Sequence, residues 1–123
     1  MAVILVADDD ENFSKLLEEL LRKAGHWVQR AVDGQIGPLL DGRTLDLAIL
    51  DMQMPGGGAP AAALRLRAHP ATAKIPIMIV SAMPVEKQRE WFKDTAGMMF
   101  LRKPASIDDI HAAIAALLPK TGS

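Results

Sequence analysis

The sequence predicts an α/β fold: an open parallel β-sheet covered by helices on both faces. Three observations predict it. Short, uniformly apolar runs recur along the chain, as expected of strands buried on both sides. Amphipathic or helix-favouring segments separate them, so that strand and helix alternate five times. Acidic and other polar residues fall just past the carboxyl ends of the apolar runs, where such sheets place their ligand crevice.

Val3-Ile4-Leu5-Val6-Ala7 reads as the first strand and runs into Asp8-Asp9-Asp10. Phe13, Leu16, Leu17, Leu20 and Leu21 then recur at three- and four-residue spacing among Lys15, Glu18, Glu19 and Arg22. That spacing predicts an amphipathic helix, opened by capping-type residues near Asp10 and stopped by Gly25. Trp27 to Val32 is the second strand. A short or distorted helix is expected over 35–43, because Gly37-Pro38 in its middle removes a donor and crowds the preceding turn.

Leu45 to Leu50 is the third strand, and it delivers Asp51 to a loop of Pro55 and three glycines. Pro60 suits the first turn of a helix over 60–68. Ile75 to Val80 is the fourth strand, with its proline near the start, where a missing donor is tolerated. A polar helix is expected over 84–95 and a fifth strand over 97–101. Ser106 caps a last helix whose buried side carries Ile107, Ile110, Ile114, Leu117 and Leu118. The expectation is a single domain spanning 1–123, without internal repeat or linker.

Composition narrows the function classes. Half of the residues are hydrophobic and the formal net charge is −1, which gives no electrostatic case for nucleic acid or an anionic membrane. There is no cysteine, so disulfides, thiol catalysis and thiolate metal sites are excluded. No apolar run is long enough to span a bilayer and none reads as a signal peptide. A cytoplasmic location is expected.

The chemistry gathers at the strand ends. Asp8 and Asp9 follow the first strand, Asp51 the third, Ser81 the fourth and Lys103 the fifth. Three carboxylates so close cannot all ionise unless a cation shares the space. Magnesium (Mg²⁺), a hard ion that takes one or two carboxylates together with phosphate oxygens, suits the set. A lysine and a hydroxyl opposite would neutralise the remaining oxygens of a phosphoryl group. The set describes a site for moving phosphoryl onto or off a carboxylate.

Four stretches carry a more specific likeness: Ile4-Leu5-Val6-Ala7-Asp8-Asp9-Asp10, Leu50-Asp51-Met52-Gln53-Met54-Pro55-Gly56, Ile79-Val80-Ser81-Ala82 and Phe100-Leu101-Arg102-Lys103-Pro104. In this order and spacing the chain resembles, from end to end, a response-regulator receiver domain of two-component signalling. The resemblance implies a flavodoxin-like doubly wound sheet of order 2-1-3-4-5 with five helices. It implies that Asp51 accepts phosphoryl from a sensor histidine kinase. Asp9 and Asp51 would ligate Mg²⁺ by side chain, Gln53 by its main-chain carbonyl and Asp8 mostly through water. Lys103 would pair with Asp51 and then with a phosphoryl oxygen, and Ser81 would take another.

Phe100 falls at the family's aromatic switch position and would turn from exposed to buried as the Ser81 loop moves inward. The Lys103-Pro104 bond would be cis. The sequence departs from the family pattern at Gly57-Gly58 and Ala59, beside Asp51, and in having no hydroxyl on Phe100. Gln53 and Met83 take positions that in the resembled family face the phosphoryl group, where a bulky Met83 would shield it from water.

Simpler roles are assigned to other features. Asp10 is read as a helix cap alone, the methionines as core filler, and His26, His69 and His111 as surface residues sharing no ligand spacing. Gly56-Gly57-Gly58 lacks the lysine and hydroxyl of a nucleotide-binding loop. Trp91 is left open between a solvent-exposed and an anchoring role. The leading functional expectation is a stand-alone receiver that switches a protein-binding face around 84–101, binding a downstream target and dimerising on phosphorylation in some cases. The alternatives are a phosphorelay intermediate passing phosphoryl to a histidine phosphotransfer protein, and a pseudo-receiver that binds without phosphorylation. An aspartyl-phosphate phosphatase would carry a second aspartate where Gln53 stands, and a flavin carrier would not fill its first loop with carboxylates. No enzyme activity is expected beyond self-phosphorylation and dephosphorylation.

Overall fold

The computed structural model describes residues 2–31, 36 and 44–118. Five strands form one sheet: β1 (Val3–Ala7), β2 (Trp27–Ala31), β3 (Leu47–Asp51), β4 (Ile77–Ser81) and β5 (Met98–Arg102). Their spatial order is β2-β1-β3-β4-β5, and every neighbouring pair is parallel. The helices among the described residues are α1 (Glu11–Lys23), α2 (Gly58–Ala68), α3 (Val85–Arg89) and α4 (Ile107–Leu117). The helix expected over 35–43 lies outside the described residues apart from the buried Ile36.

The apolar runs form strands because both of their faces are covered. Side chains alternate across the sheet, so Leu5, Ala7, Ala48, Leu50, Ile77 and Ile79 pack on one side against Ala59, Ala62 and Leu66 of α2. Ile4, Val6, Leu47, Ile49, Met78 and Val80 pack on the other against Leu17 and Leu21 of α1 and Ile110 and Ile114 of α4. The capping residues act as their chemistry predicts. Asp10 Oδ1 accepts from the Phe13 N–H at 3.2 Å, and Ser106 Oγ accepts from the Asp109 N–H at 3.0 Å. None of the helices formed by described residues is long and apolar enough to cross a membrane.

Several boundaries differ from those expected, among them the starts of β3 and β4 and the end of α3. β3 starts at Leu47 rather than Leu45, because Asp46 is diverted: its carboxylate accepts from the Val3 N–H at 2.8 Å. β4 starts at Ile77 rather than Ile75, leaving Pro76 just outside the strand. The helix expected over 84–95 ends at Arg89. Beyond it the N–H groups of Trp91 and Phe92 donate three residues back, to Gln88 and Arg89 carbonyls, a tighter winding that does not propagate. The Asp94 carboxylate then takes the Ala96 N–H at 2.9 Å, a local bond that competes with helix.

Candidate functional site

The carboxyl ends of β1 and β3 lie side by side, since β1 pairs directly with β3. Asp8, Asp9 and Asp51 therefore converge, with one carboxylate oxygen from each lying within 4.8 Å of the others. Asp8 and Asp51 are buried and Asp9 is exposed. The Asp8 carboxylate is held on both oxygens: Oδ1 accepts from the Asp10 N–H at 2.9 Å and Oδ2 from the Lys103 ammonium at 2.8 Å. The same ammonium sits 4.4 Å from the centre of the Phe13 ring, a cation–π contact. Lys103 thus pairs with Asp8, not with Asp51 as the sequence suggested. It reaches Asp51 only as a nearby charge.

That arrangement leaves Asp51 electrostatically crowded. Burial, followed by the charge of Asp8, pushes its carboxyl up to about 6, while Lys103 and a hydrogen bond from the Gln53 backbone pull it back and Asp9 adds a further push. One ammonium does not balance three acids. The donor set fits a hard divalent cation, which oxygen ligands and a deficit of positive charge both favour.

A sequence model described as the response regulator receiver domain matches residues 4–115. The chain belongs to that family. The Bacillus subtilis (strain 168) protein described as uncharacterized transcriptional regulatory protein YrkP is 35% identical over 115 residues, which are 94% of this chain and 48% of YrkP. Protein PilH of Pseudomonas aeruginosa is 31% identical over 119 residues, 96% of this chain and 98% of PilH. The chain therefore spans about half the length of YrkP and nearly all of PilH. In fold it is similar to the Vibrio cholerae chemotaxis protein CheY4, with a TM-score of 0.85, 21% identity and coverage of 96% of this chain and 99% of that one.

In this receiver domain the other residues singled out from sequence lie on the neighbouring strands. Ser81 closes β4 and is buried. Its hydroxyl accepts from the Met83 N–H at 3.2 Å, and its carbonyl accepts from the Lys103 N–H at 2.7 Å. Serine and lysine are thereby joined through the backbone although their side chains have different partners. The Lys103-Pro104 bond is cis.

Phe100 is buried, 7% exposed, with its ring centroid 5.8 Å from that of Phe92 and the Arg89 guanidinium 4.7 Å above it. The exposed starting position expected for this ring is not the one found, because Phe92 and Arg89 cover it. Gln53 is exposed. With Met52, Gly57, Pro60, Met83 and Trp91 it lines a cavity of about 280 Å³ beside the Asp51 strand end. Trp91 is 63% exposed, which answers the question left open by the sequence.

Three participants escaped sequence reasoning. Phe13 looked like an ordinary core position of an amphipathic helix, yet it faces the lysine. Trp91 belongs to the wall of the cavity. Gln88, in a polar stretch, is completely buried, and nothing in its sequence neighbourhood marks it.

Proposed function

We propose that this receiver domain, spanning 1–123 as a single unit, is a phosphoacceptor switch. An oxygen of the Asp51 carboxylate forms a bond to phosphorus as the phosphorus–nitrogen bond of a kinase phosphohistidine breaks, and the imidazole leaves with the bonding electron pair. What carries the reading is the meeting of Asp8, Asp9 and Asp51 within 4.8 Å, with the Lys103 ammonium 2.8 Å from Asp8.

Mg²⁺ held by Asp9, Asp51 and the Gln53 main-chain carbonyl, with Asp8 mostly through water, would neutralise the acids and the charge on the phosphoryl oxygens. The residues do the rest. With a carboxyl near 6, Asp51 is mostly ionised at neutral pH and is therefore available as a nucleophile. Lys103 moves from Asp8 toward the new phosphoryl charge, and the Ser81 hydroxyl, whose oxygen accepts from the Met83 N–H, donates its own O–H to a phosphoryl oxygen. Because Lys103 and Ser81 share a backbone hydrogen bond, that rearrangement draws on both β5 and the loop after β4. The resulting change in the surface around α3 and β5 is the signal read by a protein partner in the cytoplasm. Gln53 offers no acid group two residues past Asp51, which favours a persistent acyl phosphate over turnover.

The test is Mg²⁺-dependent labelling by acetyl phosphate, scored by the mass of the intact protein. The parent should gain one phosphoryl group and Asp51→Asn should gain none. Labelling that survives in Asp51→Asn removes Asp51 from the role of acceptor. A transfer profile against the histidine kinases of the source organism then identifies the donor.

A further inference from the structure

Gln88 is completely buried, although it lies in a short helix with charged neighbours. Its carboxamide nitrogen donates to the Met83 carbonyl at 2.8 Å and to the Leu101 carbonyl at 2.9 Å. Both neighbours are acceptors, so the nitrogen must face them and the amide orientation is fixed. Met83 is the residue whose N–H occupies the Ser81 hydroxyl, and Leu101 lies two residues before Lys103 on β5. One side chain therefore joins the loop that carries the hydroxyl to the strand that carries the ammonium. Its other end is unsatisfied: among the described residues, Gln88 Oε1 is the buried side-chain polar atom left without a hydrogen-bond partner. Buried carbonyl groups in that condition disfavour the arrangement that strands them.

We infer that Gln88 is a positioning residue, a releasable tie between the loop after β4 and strand β5 that sets where the Ser81 hydroxyl stands relative to Lys103. The tie holds in the unphosphorylated protein through two donated bonds. It is kept weak by the unpaired oxygen, which gains if the loop moves and brings a donor to it. Inward movement of the Ser81 loop carries the Met83 carbonyl with it and breaks one of the two bonds. This inference rests on the phosphoacceptor reading, for it is the phosphoryl group that would pull the loop.

Two measurements test it. In the parent, the side-chain amide protons of Gln88 should exchange slowly with solvent by NMR and lose protection when Mg²⁺ and beryllofluoride are added. Free exchange at the outset, or protection unchanged in a parent that demonstrably binds beryllofluoride, overturns the proposal without need of a variant. In Gln88→Met, which keeps the length of the side chain and removes its donors, backbone exchange should speed up in 82–85 and 101–103 above the rest of the sheet. Affinity for Mg²⁺ alone should stay that of the parent, while beryllofluoride affinity at saturating Mg²⁺ should change by about tenfold, the scale one hydrogen bond controls. Faster exchange spread evenly over the sheet, with beryllofluoride affinity unchanged, reduces Gln88 to a packing residue. If the parent itself fails to bind beryllofluoride while the local exchange pattern holds, the failure belongs to the phosphoacceptor reading, and the coupling of the tie to phosphorylation falls with it.

Discussion

The Asp51 carboxyl, raised to about 6 chiefly by burial and secondly by Asp8, would titrate near 3.8 without those surroundings. The folded protein therefore holds this proton more tightly than the unfolded chain does. A group of that kind contributes its full stabilisation below about 3.8 and loses it as pH rises through about 6. Ionising Asp51 in the metal-free protein should cost on the order of 1–3 kcal/mol of stability across that window. Asparagine has nearly the same shape and no charge to desolvate. Asp51→Asn should thus be more stable than the parent above the window and gain little below it. Urea unfolding in a chelator at about pH 3.5 and about pH 7.5 measures the difference. A parent and variant that lose stability equally between the two would place the strain elsewhere than on this carboxylate.

At the scale of elements, the start of α2 is built for its neighbour rather than for itself. Gly58 has φ +63°, and a Cβ placed there would run into the main-chain carbonyl of Met52, the residue after Asp51. Gly25, which ends α1, also has positive φ but nothing within 4 Å of an added Cβ. Gly25→Ala should cost about 1 kcal/mol, from backbone strain alone. Gly58→Ala should cost at least about 2 kcal/mol more than that, and it should slow acetyl phosphate labelling by displacing the Asp51 loop. Equal shifts of the urea midpoint in the two variants would show that the contact with Met52 is easily relieved.

This loop also marks where the sequence stopped being legible. Most strands were readable because runs such as Ile4 to Ala7 are apolar on both faces, whereas β2, with Gln29 and Arg30 and only half-buried at the sheet edge, showed just a loose alternation. The order of the strands followed from the likeness to receiver domains. The four site stretches could be placed for the same reason: topology alone carries Asp8, Asp9, Asp51, Ser81 and Lys103 to strand ends. Which acid holds the ammonium could not be read, since Asp8 and Asp51 differ as partners by ångströms that spacing does not encode. Gln88 was invisible because its burial depends on two main-chain carbonyls, from Met83 and Leu101, that no side-chain pattern reports. The early end of α3 goes with the Trp91 and Phe92 N–H groups donating three residues back, a tightening that no spacing of side chains announces.

For the whole molecule, the sheet separates two kinds of energy. Its two apolar layers, one against α2 and one against α1 and α4, supply a rigid support with the strands' carboxyl ends as its rim. On that rim, acids from β1 and β3 are held closer than their charges favour, with a single paired ammonium from the end of β5. Folding thus assembles a site the unfolded chain lacks, and a ligand that binds only the assembled site must stabilise the fold. Mg²⁺ at about one hundred times its dissociation constant should add about 2.7 kcal/mol and raise the midpoint of thermal unfolding by several degrees. The increment should shrink as pH falls below the Asp51 titration near 6, where proton and cation compete for the same oxygens. It should be reduced in Asp9→Asn and in Asp51→Asn, each of which withdraws one charged ligand atom. Scanning calorimetry with and without Mg²⁺ at two pH values checks all three statements. A midpoint indifferent to Mg²⁺ would mean that the acids tolerate one another without a cation, and the proposed metal site would have to be abandoned.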